Sequence, residues 1–322
     1  MTTRRTALGA FMAGLAAPGA MAQPAFPDRP LRLVIPFVPG GTNDIVGRLV
    51  AEGLSARLGQ QVVVDNRGGA GGAIGAEIVA KAAPDGHTLL LGGTGSQTIN
   101  QILRDRLPYD PATAFAPIGL VAAGAVATVV HPSLPVRNLS ELQAVARQRR
   151  LAYASPGVGS SGHAAGALIE SVLGIEMDHV PYRGTGPALV DVVAGRVHLF
   201  TNAVPPLQPH LRTGALRGIC IAGRRRSPAE PDLPTAAEQG FPALEATGWY
   251  AILTTGGTPP DRVARLFTAL GATLAEPETR RKLNEAGLEV EPSESPEAFA
   301  RFLAEDLARW TPVVRGAGMR AE

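Results

Sequence analysis

The stretch Leu31-Arg32-Leu33-Val34-Ile35-Pro36-Phe37-Val38-Pro39-Gly40-Gly41-Thr42-Asn43-Asp44 decides how the chain is read. A short apolar run ends at a proline and a glycine turn follows. Over residues 44–58 apolar side chains then recur at Ile45, Val46, Leu49, Val50 and Leu54, which is a helical spacing. Further out, Val62-Val63-Val64 reads as a second strand, residues 73–82 as a second helix and Thr88-Leu89-Leu90-Leu91 as a third strand. A βαβαβ order of this kind predicts an α/β fold, a parallel sheet wrapped by helices.

A second series begins after Ala127-Thr128-Val129-Val130. Helical patterns over 140–149, 162–173 and 187–194 alternate with strand patterns at Leu151-Ala152-Tyr153-Ala154, His179-Val180, His198-Leu199-Phe200 and 216–222. Beyond Trp249-Tyr250-Ala251-Ile252-Leu253 the pattern is helical over 260–275, 277–286 and 296–316. Those helices have no strands of their own, so they are expected to pack back on the first sheet. The chain then crosses between domains twice, near 130–132 and 245–250. This predicts a discontinuous first domain (23–130 and 250–322), an inserted second domain (131–249) and a cleft between two parallel-type sheets. About 300 residues exceed what one core usually organises, in keeping with two domains.

Residues 1–22 contain no acid, carry Arg4 and Arg5, run apolar through Phe11, Met12, Leu15 and Ala17, and close on Ala20-Met21-Ala22. Charged start, short apolar middle and small-residue exit predict a secretory signal cleaved after Ala22, hence a periplasmic protein. Thr3-Arg4-Arg5 is similar to a twin-arginine export signal, and the Sec route stays open beside it. Losing this segment removes two arginines and no acid, so the formal charge of +2 falls to zero. No basic stripe for nucleic acid is expected from that balance. The single cysteine, Cys220, excludes an internal disulfide and a cysteine-based metal cluster.

Glycine- and hydroxyl-rich loops fall where strands end: residues 37–44, 68–72, 92–96, 155–161, 183–186 and 201–203. In open parallel sheets ligands sit at those carboxyl ends, where helix N-termini aim N–H groups into the crevice. Such a site holds an anion with little formal positive charge. Each loop taken singly is accounted for by capping and tight turning; six together favour a shared binding cleft. Catalytic readings fare worse. From Gly69 and Gly71 the third glycine of a dinucleotide fingerprint belongs at position 74, which is Ile74, and neither lysine, Lys81 or Lys282, follows a glycine loop. The histidines show no metal-ligand spacing, and no cofactor or metal is expected. The different-class alternative is a secreted serine hydrolase using Ser160 or Ser161 with His163.

Three groups of motifs carry a resemblance: Pro36-Phe37-x-Pro39-Gly40-Gly41-x-x-Asp44 with Val64-x-Asn66-Arg67-x-Gly69-Ala70-Gly71-Gly72; Ala83-Pro84-Asp85-Gly86-x-Thr88-Leu89 with Tyr109-Asp110-Pro111; and Tyr153-Ala154-Ser155-x-Gly157-x-Gly159-Ser160-x-x-His163 with Val180-Pro181-Tyr182-Arg183-Gly184 and Trp249. From about Pro27 onward the chain resembles the Bug family, substrate-binding proteins of tripartite tricarboxylate transporters. The resemblance implies a two-domain type II periplasmic-binding-protein fold that closes over a small organic acid and works, as a monomer, with membrane permease subunits; presentation of the ligand to a sensor stays open. Carried over by motif, Phe37, Gly40, Gly41, Thr42 and Asp44 would form one wall with Ala70, Gly71, Thr94 and Ser96. Ser155, Gly159, Ser160, His163, Gly184, Thr185 and Asn202 would face them. His87 departs from the family pattern, which has an aromatic there, and His198 stands where an acid is common.

Overall fold

The computed structural model describes residues 26–319, so the expected export signal lies outside the described residues. Strands β1 (Leu31–Ile35), β2 (Val62–Asn66) and β3 (Thr88–Gly93) pair in parallel, with β1 central. Helices α1 (Thr42–Leu58) and α2 (Ala73–Ala80) are the crossovers between them. A second parallel trio has β5 (Leu151–Ser155) between β6 (Met177–Pro181) and β7 (Leu199–Ala203). Helices α3 (Asn100–Leu103) and α4 (Leu139–Gln148) precede it, its crossovers are α5 (Ser161–Leu173) and α6 (Thr185–Val193), and α7 (Gln208–Arg212) and β8 (Arg217–Ile221) follow.

Two antiparallel strands join the trios into one ten-stranded sheet. Strand β4 (Phe115–Val130) pairs with β9 (Thr247–Thr255) along Phe115 to Ala125, then with β7 from Val126 to Val130. The partner therefore changes between Ala125 and Val126, inside one continuous strand. The sequence reading saw only the last four residues of β4. Its first part was obscured because Pro117 and Gly119 interrupt a β pattern, and the pairing is irregular there, with register shifts at 117–119 and 120–122.

Each half has its own core. Leu33, Ile35, Val50, Leu54 and Leu91 pack with Leu266 and Leu270 of α8 (Pro260–Ala275) and Leu283 of α9 (Pro277–Glu285) in the first half. Tyr153, Leu168, Ile169 and Leu199 pack in the second. The last helix, α10 (Pro296–Gly316), departs from the expectation that all the C-terminal helices cover the first sheet. Phe299 sits in the first-half core beside Trp249, whereas Trp310 and Val314 sit in the second-half core beside Ile99. Twenty-one residues of helix span about 30 Å, long enough to strap both cores. Truncating Trp310 to alanine is expected to cost about 3–5 kcal/mol, the usual range for a buried aromatic, read as a lower urea midpoint; a loss near zero would mean that α10 does not fasten the second half.

Candidate functional site

A cavity lies between the halves, lined by Phe37, Val38, Gly41, Thr42, Asn43 and Tyr250 from the first and Pro156, Ser160, Ser161, Thr185 and Asn202 from the second. The enclosed space is narrow, with about 20 Å³ open to the centre of a water-sized sphere; the wider 360 Å³ counts solvent at the mouth. No lining side chain bears a formal charge. A larger groove occupies the other face of β9, since Trp249 lines the groove while its neighbour Tyr250 lines the cavity. No helix N-terminus is among the residues of that groove.

Three helices begin at the cavity wall. Helix α1 starts at Thr42 behind Gly41, and α6 starts at Thr185 behind Gly184; neither has a side-chain cap. Helix α5 starts behind Ser160, whose hydroxyl accepts from the His163 N–H at 3.2 Å. The first amides of each helix have no partner inside the helix, so they present donors and a positive dipole end to the space between them. Thr42 is 3 % exposed, and its hydroxyl has no hydrogen bond of good geometry, only the Tyr250 phenol beside it. Tyr250 lies beside it; burial pushes the phenol above its ordinary range, with the Thr42 hydroxyl pulling the other way.

The remaining carried-over residues divide by what they touch. Asp44 lies under the loop, not on the wall. Its carboxylate accepts from Gly40 N at 3.1 Å, Arg48 Nε at 3.1 Å and Asn66 Nδ2 at 3.0 Å. Burial alone would raise its pKa; the hydrogen bonds from Arg48, Gly40 and Asn66 outweigh that and hold it below the usual carboxylate range. Asn66 also donates to Phe37 O at 3.0 Å, so Asp44 and Asn66 together clip the 37–41 loop in place.

Gly71, next to Ala70, and Gly95, between Thr94 and Ser96, form the seam where the halves touch, while the Thr94 and Ser96 hydroxyls bond within the first half, to Trp249 N and Gly93. A methyl group on Gly71 would overlap the Val158 carbonyl oxygen, and one on Gly95 would lie 3.1 Å from Gly159 O. Gly184 abuts Val38, and Gly41 abuts the Thr185 hydroxyl, in the same way. Asn100, which the sequence reading did not single out, is buried behind this seam. Its Nδ2 donates to Gly71 O at 2.8 Å and Gly95 O at 2.9 Å. Asn100 carries no motif signal, because its partners are backbone carbonyls, one in its own turn and one twenty-nine residues away.

Ser155 and His163 form a layer behind the second wall. Ser155 Oγ lies 2.7 Å from His179 Nε2, and His163 stacks on His179 with ring centres 4.0 Å apart. The His163 Nδ1 lone pair accepts from Gly159 N at 3.2 Å, while Ser160 meets only the His163 backbone. Ser160 and the His163 ring are therefore not arranged as nucleophile and base. The His87 ring is buried edge-on against Phe26, with Asp28 at 3.0 Å and Asp85 at 3.4 Å on its two nitrogens. His198 Nδ1 accepts from Ala152 N at 2.9 Å, tying β7 to β5. Arg183 is exposed and absent from the cavity wall.

Burial, with the neighbouring His179 adding to it, depresses His163 to about 3, and burial depresses His179 to about 4. An unfolded histidine titrates near 6.5. Between pH 6.5 and 4 the unfolded chain therefore binds more protons than the native one, and stability falls as pH falls. The urea midpoint is expected to drop steadily across that window and to drop less in the double variant His163→Gln, His179→Gln; an equal slope in both proteins would contradict this.

Residues 46–319 match the model of the tripartite tricarboxylate transporter family receptor. Protein BugT of Bordetella pertussis (strain Tohama I) is 33% identical over 325 residues, 99% of either chain. Among solved structures, an R. palustris protein with adipate is 37% identical with a TM-score of 0.88, over 92% of this chain and 99% of its own. MatC from Rhodopseudomonas palustris, with bound malate, is 34% identical with a TM-score of 0.86, over 90% and 100%.

Proposed function

The chain belongs to the tripartite tricarboxylate transporter receptor family, and from that premise we propose that it captures a small organic acid by closing its two halves and catalyses nothing. The observation that carries this reading is the meeting of three helix N-termini, from both halves, on one cavity whose side chains are all uncharged. Each helix end favours an anion by about 0.3–1 kcal/mol, more where water is excluded. Thr42 fits a ligand oxygen, because its buried hydroxyl, beside the Tyr250 phenol, has no well-formed hydrogen bond of the kind buried polar groups nearly always have. Adipate and malate, the acids bound by the two R. palustris relatives, support a carboxylate as the ligand class.

In this reading residues 23–130 with 250–322 form one closing body and residues 131–249 the other. Phe37, Gly41, Thr42, Ser160, Thr185 and Asn202 touch the ligand, joined by Val38, Asn43, Ser161 and Tyr250. Gly40 and Asp44 shape the first wall; Gly71, Gly159 and Gly184 form the seam, with Ala70, Thr94 and Ser96 beside it; Ser155 and His163 back the second wall. After cleavage behind Ala22 the protein works in the periplasm as a monomer. It delivers its ligand to the permease subunits of a tripartite tricarboxylate-type transporter.

The test is a thermal-shift panel on refolded, ligand-stripped protein with malate, adipate, other organic acids and neutral controls. A ligand at a hundredfold excess over its Kd stabilises by about 2.7 kcal/mol. A selective rise with one acid is expected, and Thr42→Val is expected to weaken that acid's binding about tenfold, the loss of one buried hydrogen bond. No shift across all the acids would contradict carboxylate capture. Turnover of an ester panel that Ser160→Ala abolishes would contradict the non-catalytic reading.

A further inference from the structure

Asp306, on α10, is 3 % exposed and lies at a junction of three elements. Its Oδ2 accepts from Thr98 Oγ1 at 2.7 Å and from the Trp249 indole at 2.8 Å, and its Oδ1 accepts from Arg309 Nη2 at 2.7 Å. Thr98 belongs to the π-helical turn Thr94–Ile99 that continues β3. The circuit closes at the other end of that turn, where the Trp249 backbone N–H donates to Thr94 Oγ1 at 3.0 Å. The carboxylate thus ties the far end of the turn to the Trp249 side chain, and the Trp249 main chain holds the near end.

The turn's position matters for two reasons. Gly95 abuts the backbone of Gly159 and Ser160, so the turn forms part of the seam that closes the cleft. Trp249 precedes Tyr250, whose side chain reaches the cavity from the opposite face of the strand. The same helix carries Trp310 into the second-half core, alongside Ile99 from the end of the turn. The turn is therefore linked to the second half twice, directly through Ile99 and along α10 through the carboxylate.

We infer that Asp306 is a positioning residue for the ligand site: it holds the 94–99 turn and Trp249 in the geometry that the closed seam requires. This rests on the reading of the cavity as a closing binding site, but its test needs no ligand. The measurement is amide deuterium exchange of the mature protein. Asp306→Leu removes every acceptor, whereas Asp306→Asn keeps one oxygen for Trp249 and Thr98. Leu283→Ala, in the first-half core on α9, serves as a control, compared at matched loss of thermal stability.

In Asp306→Leu, exchange at Trp249, across 97–100 and on the facing turn 159–162 is expected to rise about tenfold above the control. Asp306→Asn is expected to stay close to wild type. Exchange no faster than in the control, or faster only within α10, overturns the inference. Should Asp306→Leu fail to fold, the pair Thr98→Val, Trp249→Phe cuts the same circuit, with the same expectation and the same contrary result. A failed acid panel sinks the ligand proposal and leaves this result to stand or fall on its own.

Discussion

The structure depends on a seam that has no room for a Cβ. Gly71 meets Val158 and Gly159, Gly95 meets Gly159 and Ser160, and Gly184 meets Val38. Main chain approaches main chain at the first two of these points, and three of the glycines, Gly71, Gly159 and Gly184, also have positive φ, which side chains disfavour. Asn100 sits behind the seam and binds the carbonyls of Gly71 and Gly95, so two loops distant in sequence present one surface. The helix ends behind these loops are thereby set at fixed places around the cavity.

Electrostatics follow from that arrangement. A guanidinium in the cavity would bind an anion strongly but would be a buried, unpaired charge whenever the site is empty. Helix termini and hydroxyls avoid that cost. Charge is instead used one layer out, where Asp44 holds the first loop through Gly40 and Asn66, and Asp306 holds the second through Trp249 and Thr98. Each carboxylate is paired with an arginine, Arg48 and Arg309, and neither lines the cavity.

Much of this was legible in the sequence. The helical spacing after Gly41, the strand runs and the glycine clusters at strand ends located both parallel trios and most of the cavity wall. Residue chemistry marks the loops that hold Thr42, Ser160, Thr185 and Asn202, and the family resemblance picks those four out within them. The motif carry-over places Asp44 in the right loop but not on the right side of it, because the direction of its carboxylate depends on Asn66, twenty-two residues away. Tyr250 and Asp306 were missed for a related reason. Tyr250 reaches the cavity only by strand alternation, and Asp306 looks like one more acid on an amphipathic helix until Trp249 and Thr98 are set against it. The straddling of α10 was equally hidden, since apolar spacing shows that a helix has a buried face and not which core receives it.

The central claim is that ligand is held by closure of the glycine seam, and small-angle X-ray scattering of Gly71→Ala tests it most directly. The added methyl meets a backbone carbonyl, so the halves cannot come together as they do here. With an acid that compacts the wild type, the variant is expected to keep the more extended scattering of ligand-free protein, even at concentrations that saturate the wild type. A variant that compacts equally and binds with unchanged affinity would contradict the account.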